Sequence, residues 1–257
     1  MKITALVENT TRYYGIRIEH GLSLYIETRT DKILFDMGQS DIFYENAKAL
    51  GIDLSMVDIA ILSHGHYDHG GGLRKFLEIN TSAPVYIQKD AFLPHYNGTQ
   101  KYIGLDTDLA NNPRIVFTSA DHRITPSLSL LSSDVISKDK VPDSGLTEKT
   151  ETGFVPDDFR HEQYLLIDEN GKKILISGCS HKGIINIINS FSPNVLVGGF
   201  HFSKLPLDER LAERAAALSD FGTEFYTCHC TGTEQFEFMS KYMRSLNYLC
   251  CGQEIII

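Results

Sequence analysis

Three histidines and an aspartate crowd into the stretch Ser63 to Leu73, which reads SHGHYDHGGGL. Residues two apart on an extended segment point to the same side, so His64 and His66 can bind one metal ion together. Asp68 and His69 follow the turn and can face a second ion beside the first. The three glycines that come next should let the backbone turn tightly and begin a helix without side-chain clashes. The spacing therefore predicts a metal site.

The histidine stretch follows an apolar run that begins at Val57, and four other short apolar runs also end in polar, metal-competent side chains. These runs are β-branched and bounded by glycine, which predicts buried strands. In open α/β architectures, ligands bind at the edge where strands end, so we expect these side chains to share one edge. They follow the runs that begin at Lys32, Lys172, Asn194 and Thr223, and they are Asp36, Cys179, His181, His201, Cys228, His229 and Cys230.

Helices are predicted between these runs. Ser40 can cap a helix that stops at Gly51. A helix over residues 208–221 would place Leu211, Ala215 and Leu218 on one face. A capping box from Thr231 to Glu234 would open the last helix. Alternating strands and helices predict the α/β fold class.

The composition is that of an ordinary globular protein, with 257 residues, 42% of them hydrophobic, and a formal net charge of -9. We expect one domain spanning 1–257. The negative charge disfavours a nucleic-acid surface, and no apolar run approaches the roughly 18 residues of a membrane span. The five cysteines form no C-x-x-C pair, which indicates free thiols in a reducing cytoplasm. The expected partner is a small molecule, and the oligomeric state is not indicated.

The segment from Ser137 to Asp158 is polar and rich in turn-forming residues. A long loop inside a compact domain is usually functional or mobile. We interpret residues 137–158 as an inserted, lid-like segment over the strand edge.

The motif His64-Gly-His66-Tyr-Asp68-His69, together with LFDMG around Asp36, resembles the signature of the metallo-β-lactamase superfamily. The resemblance covers nearly the whole chain and implies an αββα sandwich, the metallo-β-lactamase fold, with two metal ions at one sheet edge. The stretches VENTT, EHGLSLYIET, SGCSHKGIIN, GGFHF and CHCTG are similar to a prokaryotic subgroup described as metal-dependent hydrolases. Some of its members are synthases of methanopterin biosynthesis, which join a dihydropterin to a ribofuranosyl-aminobenzene phosphate.

The resemblance implies a ligand set for two divalent metal ions. Zinc is the favoured metal, and iron or manganese are the alternatives. The expected ligands are His64, His66 and His181 for the first ion, and Asp68, His69 and His229 for the second.

Two ligand positions stay open. His161 lies near the superfamily's usual third histidine and is the alternative to His181. Cys179 stands where typical members have a bridging aspartate. It could bind as a thiolate, which would favour zinc, or it could be a small buried residue.

The resemblance and the strand-end pattern also indicate roles in catalysis. Asp68 could accept or relay a proton. His201 could act as a general acid or bind an anionic group, with a plain surface histidine as the alternative. Asp36 is expected to orient a metal ligand or water. The backbone N–H groups of Thr231 and Gly232 could receive a substrate anion.

The predicted function is hydrolysis of a small, anionic ester, lactone or phosphoester by a metal-activated water. A transferase of the methanopterin type is the first alternative, and a metal-binding protein without catalysis is the second. A nuclease is disfavoured by the charge, and no region remains for the flavin domain of an oxygen-reducing diiron protein.

Overall fold

A computed structural model describes residues 1–136 and 144–257. The chain divides into two compact units. Unit 1 comprises Met1–Ala120, Pro142–Gln163 and Cys250–Ile257, and unit 2 comprises Asp121–Val141 and Tyr164–Leu249. The expectation of one domain over the whole chain stays a prediction.

Strands and helices are numbered along the chain. The strands are β1 (Lys2–Val7), β2 (Ser23–Glu27), β3 (Lys32–Phe35), β4 (Ile59–Ile61), β5 (Val85–Gln88), β6 (His95–Asn97), β7 (Lys101–Tyr102), β8 (Ile115–Thr118), β9 (His122–Arg123), β10 (Leu128–Ser132), β11 (Leu146–Thr150), β12 (Gly153–Pro156), β13 (Gln163–Glu169), β14 (Lys172–Ile176), β15 (Val195–Gly198), β16 (Glu224–Thr227), β17 (Leu246–Tyr248) and β18 (Glu254–Ile256). The α-helices are α1 (Ile42–Ala49), α2 (Tyr67–Gly70), α3 (Leu73–Ile79), α4 (Ile184–Phe191), α5 (Glu209–Ser219) and α6 (Thr233–Met239).

Unit 1 contains a seven-stranded sheet in the order β18-β1-β2-β3-β4-β5-β8. Strands β3, β4, β5 and β8 run parallel, so their carboxyl ends meet at one edge. Helices α1 and α3 contribute Phe43, Ala47, Leu73 and Phe76 to a core that includes Leu34 of the sheet. A second, four-stranded sheet in the order β12-β11-β6-β7 also belongs to this unit.

Unit 2 contains a seven-stranded sheet in the order β17-β16-β15-β14-β13-β10-β9. Strands β14 to β17 run parallel. Ile187 of α4, Leu211 and Ala215 of α5 and Met239 of α6 are buried in its core. Each unit therefore brings the carboxyl ends of several parallel strands to one edge, which is where the predicted site residues begin.

The five apolar runs that predicted strands are confirmed as β3, β4, β14, β15 and β16. The helix over 208–221 is confirmed as α5, where the Asp208 side chain accepts from two backbone N–H groups. The capping box at Thr231 is wrong. Helix α6 begins at Thr233 after Gly232, which makes no side-chain cap, and the Thr231 hydroxyl bonds the Phe200 N–H at 2.8 Å instead.

The lid-like segment lies partly outside the described residues, since 137–143 are not among them. The described remainder includes β11 and β12, which pair antiparallel, and β11 also pairs with β6. Glu148 of β11 accepts from Arg160 at 2.8 Å. The lid stays a prediction, which limited proteolysis with and without ligand can test. No helix among the described residues is both long enough and apolar enough to cross a membrane.

Candidate metal centre

Asp36 organises a buried group at the carboxyl edge of the unit 1 sheet. It follows β3 with a backbone φ of 59°, in the left-handed region. Its Oδ1 accepts from the Ser63 N–H, and its Oδ2 accepts from the Ser63 hydroxyl, both at 2.7 Å. Its Oδ2 also lies 2.7 Å from Nδ1 of His69. Because a carboxylate only accepts, Nδ1 of His69 carries the proton and Nε2 keeps a lone pair.

The histidines of the SHGHYDH stretch pack closely around this group. The ring centroids of His64 and His66 are 4.5 Å apart, and those of His64 and His69 are 4.2 Å apart. All three rings are buried, and burial lowers the pKa of His66 well below its usual value. Neutral imidazoles are the form that binds metal ions. We call Asp36, His64, His66, Asp68 and His69 the motif cluster.

Asp68 is the carboxylate of the motif cluster nearest to solvent. It sits in α2, and its Oδ2 lies 3.2 Å from Nε2 of His20, an exposed side chain. His20 has no ligand spacing in the sequence, although its place in EHGLS suggested that it approaches the site. The structure thus gives Asp68 a partner that could share its proton.

The three glycines after the motif are explained by close packing, not by unusual backbone angles. A Cβ on Gly71 would clash with the carbonyl of Gln39, and one on Gly72 would clash with the carbonyl of Met37. A Cβ on Gly70 would lie 2.5 Å from the Leu105 side chain. Helix α3 does begin after Gly72, as predicted. The glycines therefore let the segment after β3 lie directly against the SHGHYDH stretch.

Unit 1 contains a second buried group, of which the sequence reasoning considered only His161. Asp157, directly after β12, accepts on Oδ1 from the Phe159 N–H at 2.8 Å. Its Oδ2 lies 2.9 Å from Nδ1 of His95 on β6 and 3.2 Å from Nε2 of His161. Burial alone would raise the pKa of the Asp157 carboxyl, but the hydrogen bonds from His161 and His95 hold it far below its usual range. We call His95, Asp157 and His161 the Asp157 cluster.

The Asp157 cluster adjoins the motif cluster at His66. The His66 ring centroid lies 5.3 Å from that of His161 and 5.7 Å from that of His95. Nδ1 of His161 accepts the Gly65 N–H at 2.9 Å. Both nitrogens of His161 are therefore engaged within unit 1, which weakens its case as the third histidine ligand. The available sequence signal was the four-residue spacing of Asp157 and His161, which is too common to identify a site.

Unit 2 presents its own polar groups after β14, β15 and β16. Cys179, His181 and His229 are buried, and all three follow strand ends as predicted. His201 is partly buried, and its ring centroid lies 4.5 Å from that of His181. His201 and His229 have left-handed backbones, with φ of 57° and 48°. These placements leave both roles of Cys179 open.

The flanking thiols in unit 2 serve packing. Cys228 and Cys230 are buried, and like the other three cysteines they form no disulfide. Sγ of Cys230 accepts from the His201 N–H at 3.3 Å and contacts the Cys179 carbonyl at 3.6 Å. The thiol therefore fixes the backbones that carry His201 and Cys179.

The backbone N–H groups of the proposed anion subsite at Thr231 and Gly232 already donate hydrogen bonds to backbone carbonyls. The Thr231 N–H donates to the Cys228 carbonyl at 3.1 Å, and the Gly232 N–H to the His229 carbonyl at 3.4 Å. An anion would have to displace these bonds. The subsite stays a prediction without support from the local geometry.

The chain belongs to the metallo-β-lactamase superfamily, whose sequence model matches residues 17–216. An uncharacterized protein of Methanocaldococcus jannaschii is 33% identical over 96% of both chains. The 7,8-dihydropterin-6-methyl-4-(beta-D-ribofuranosyl)-aminobenzene-5'-phosphate synthase of the same organism is 28% identical over 99% of this chain and 96% of its own.

The solved structure of a metal-dependent hydrolase of the β-lactamase superfamily shares 29% identity with this chain. Its TM-score is 0.87, and the match covers 100% of this chain and 99% of the other. The chain thus has the metallo-β-lactamase fold, and the predicted fold class is confirmed. That fold implies divalent metal binding, and the buried histidines and aspartates fit it.

Proposed function

We propose that the protein is a metal-dependent hydrolase of a small, anionic ester, lactone or phosphoester. The motif cluster carries this proposal. It gathers three buried imidazoles beside the Asp68 carboxylate, and the Asp36 carboxylate holds the Nδ1–H of His69. Imidazole and carboxylate donors suit zinc and related divalent ions, and an orienting carboxylate behind a ligand histidine is typical of such sites.

Two divalent ions would supply an activated water near neutral pH and charge stabilisation for the developing oxyanion. In unit 1, the ligands would be His64, His66, Asp68 and His69. The rest of the predicted set takes His181 and His229 from unit 2, with Cys179 as an optional thiolate. That full set stays a prediction, as does zinc as the native metal.

Two side chains are proposed to move protons. Asp68 would accept a proton from the attacking water, and His20 at 3.2 Å would share it. His201 would protonate the leaving group. His201→Ala should then leave metal content unchanged while the rate falls about 100-fold to 10,000-fold, with a smaller loss for good leaving groups. If His201→Ala shows a normal rate and a normal affinity for the true substrate, His201 is a plain surface histidine without a role in the reaction.

A transferase is the second candidate, and it is favoured by the similarity over 99% of this chain to the archaeal synthase. A hydrolase consumes one substrate, whereas a synthase of that type couples two. Metal-loaded protein should therefore be given lactones and phosphodiesters singly, and a dihydropterin phosphate together with a ribofuranosyl-aminobenzene phosphate. Mass spectrometry of the products separates hydrolysis from coupling.

Absence of turnover on every member of that panel, with full metal content, would favour the third candidate, a metal-binding protein without catalysis. The proposed partner remains a small molecule, and a cytoplasmic location remains a prediction.

A further inference from the structure

His95 presents a buried ring nitrogen that the predicted ligand set does not use. We propose that Nε2 of His95 is an additional ligand for a divalent metal ion that His66 also binds. His66, His95, Asp157 and His161 offer ligand atoms that all lie within 4.8 Å of one another, and all four side chains are buried. The inference concerns unit 1 alone, and it does not require that the protein be a hydrolase.

A chain of hydrogen bonds fixes the protonation of these rings. The Gly65 N–H can only donate, so Nδ1 of His161, at 2.9 Å, must be unprotonated. The remaining proton of that neutral ring lies on Nε2 and points to Oδ2 of Asp157. The carboxylate therefore already accepts from His161 and from the Phe159 N–H.

The same carboxylate determines the orientation of His95. Its Oδ2 lies 2.9 Å from Nδ1 of His95, and a carboxylate accepts only, so this nitrogen is the donor. In the neutral ring, Nε2 then holds a bare lone pair. That atom is buried and has no hydrogen-bond partner among the described residues. A buried polar atom without a partner destabilises the fold unless a ligand engages it.

A metal ion accounts for this arrangement better than a structural role does. Ligand histidines usually donate their second ring N–H to a carboxylate, which sets the tautomer and the ring direction. His69 shows the same pattern with Asp36 in the motif cluster. Arg160, the neighbouring cation, bonds Glu148, Asp158 and Asp90. Asp157 has no Lys or Arg partner among the described residues, so a nearby divalent ion would also compensate its buried charge.

Membership of His66 in the predicted ligand set does not conflict with this role. A neutral histidine has one ring nitrogen with a lone pair, so His66 binds a single ion. His95 would add a ligand to that ion.

The test compares zinc binding by metal-stripped full-length protein with that of His95→Gln, Asp157→Asn and the control His122→Gln, a histidine on the exposed β9. Competition with a chromophoric chelator gives the affinity, and elemental analysis gives the stoichiometry. Asp157→Asn should lower affinity about 10-fold to 100-fold, as loss of an orienting partner does. His95→Gln should lower it at least as much or remove one equivalent, and the control should match the wild type.

A second measurement avoids the risk that a variant misfolds. In wild-type protein labelled with ¹⁵N-histidine, zinc addition should shift the Nε2 resonance of His95 while Nδ1 stays protonated. An unshifted resonance, or unchanged zinc binding by folded His95→Gln, overturns the proposal. The same results are expected if His95 contacts only substrate. A protein that binds zinc through His95 yet hydrolyses nothing would support this inference and contradict the proposed function.

Discussion

The motif cluster and the Asp157 cluster build the same chemistry in different ways. In each cluster, Oδ1 of a buried carboxylate accepts a hydrogen bond from a backbone N–H. Its Oδ2 accepts from two side-chain groups, one of which is Nδ1 of a histidine. Asp36 meets partners that follow the next strand along the chain. Asp157 and His95 are 62 positions apart in the sequence, and the pairing of β11 with β6 brings them together. Similar chemistry can therefore arise from strand-end placement or from a separate sheet.

The largest expected effect tests whether the motif cluster carries the reaction. Asp68→Ala removes the proposed proton acceptor and a predicted ligand of the second ion. The rate should fall about 100-fold to 10,000-fold. Elemental analysis should show that mainly the second ion is lost, whereas equal loss of both ions would contradict the partition. Tyr67→Phe, one position away, is the control.

A smaller effect is expected from Asp36→Asn. The amide keeps the shape of the side chain, but it cannot accept hydrogen bonds from all three groups that now donate to Asp36. Affinity for the ion held by His69 should fall about 10-fold to 100-fold. Metal titration of Asp36→Asn beside Asp157→Asn sharpens the comparison. If the two variants weakened the same single ion equally, the clusters would be one site and not two.

Asp157→Asn should also change the stability of metal-free protein. The folded-state pKa of Asp157 is lowered, so its contribution is present above the unfolded pKa of about 4 and is lost as the pH falls through the lower folded value. At pH 7 the variant should lose about 2–3 kcal/mol of unfolding free energy, as expected for a hydrogen-bonded charge. Urea unfolding should show the difference shrinking in acid. A difference independent of pH would mean that the carboxylate charge is not what matters.

The smallest effect is expected where the four-stranded sheet meets the motif at the surface. Nζ of Lys101 lies 3.3 Å from the Tyr67 hydroxyl and 5.1 Å from the ring centroid. Lys101→Met should cost under about 1 kcal/mol, as exposed cation–π contacts do. Metal content should not change. A large loss of metal would show that the position of this sheet controls the motif cluster.

The strand-end pattern made much of the fold and the motif cluster predictable. Apolar runs set the strands, and parallel pairing then brings Asp36 to the same edge as Ser63 and His64. His95 and Asp157 were not predictable in this way. Their meeting depends on the pairing of short strands in a polar stretch, where no hydrophobic period specifies the register. The glycines after His69 were recognised, but their cause lies in close contacts that only the fold reveals.

The left-handed backbones at Asp36, His201 and His229 have a consequence for protein engineering. A non-glycine residue in this conformation costs roughly 1 kcal/mol or more, a cost that glycine avoids. A library screened for heat resistance alone should therefore enrich glycine at His201, a partly buried position, and discard a side chain to which the proposed function assigns a role. At Asp36, the loss of the acceptor for three donors would outweigh that gain. Selection schemes for this protein should score turnover and thermal tolerance together.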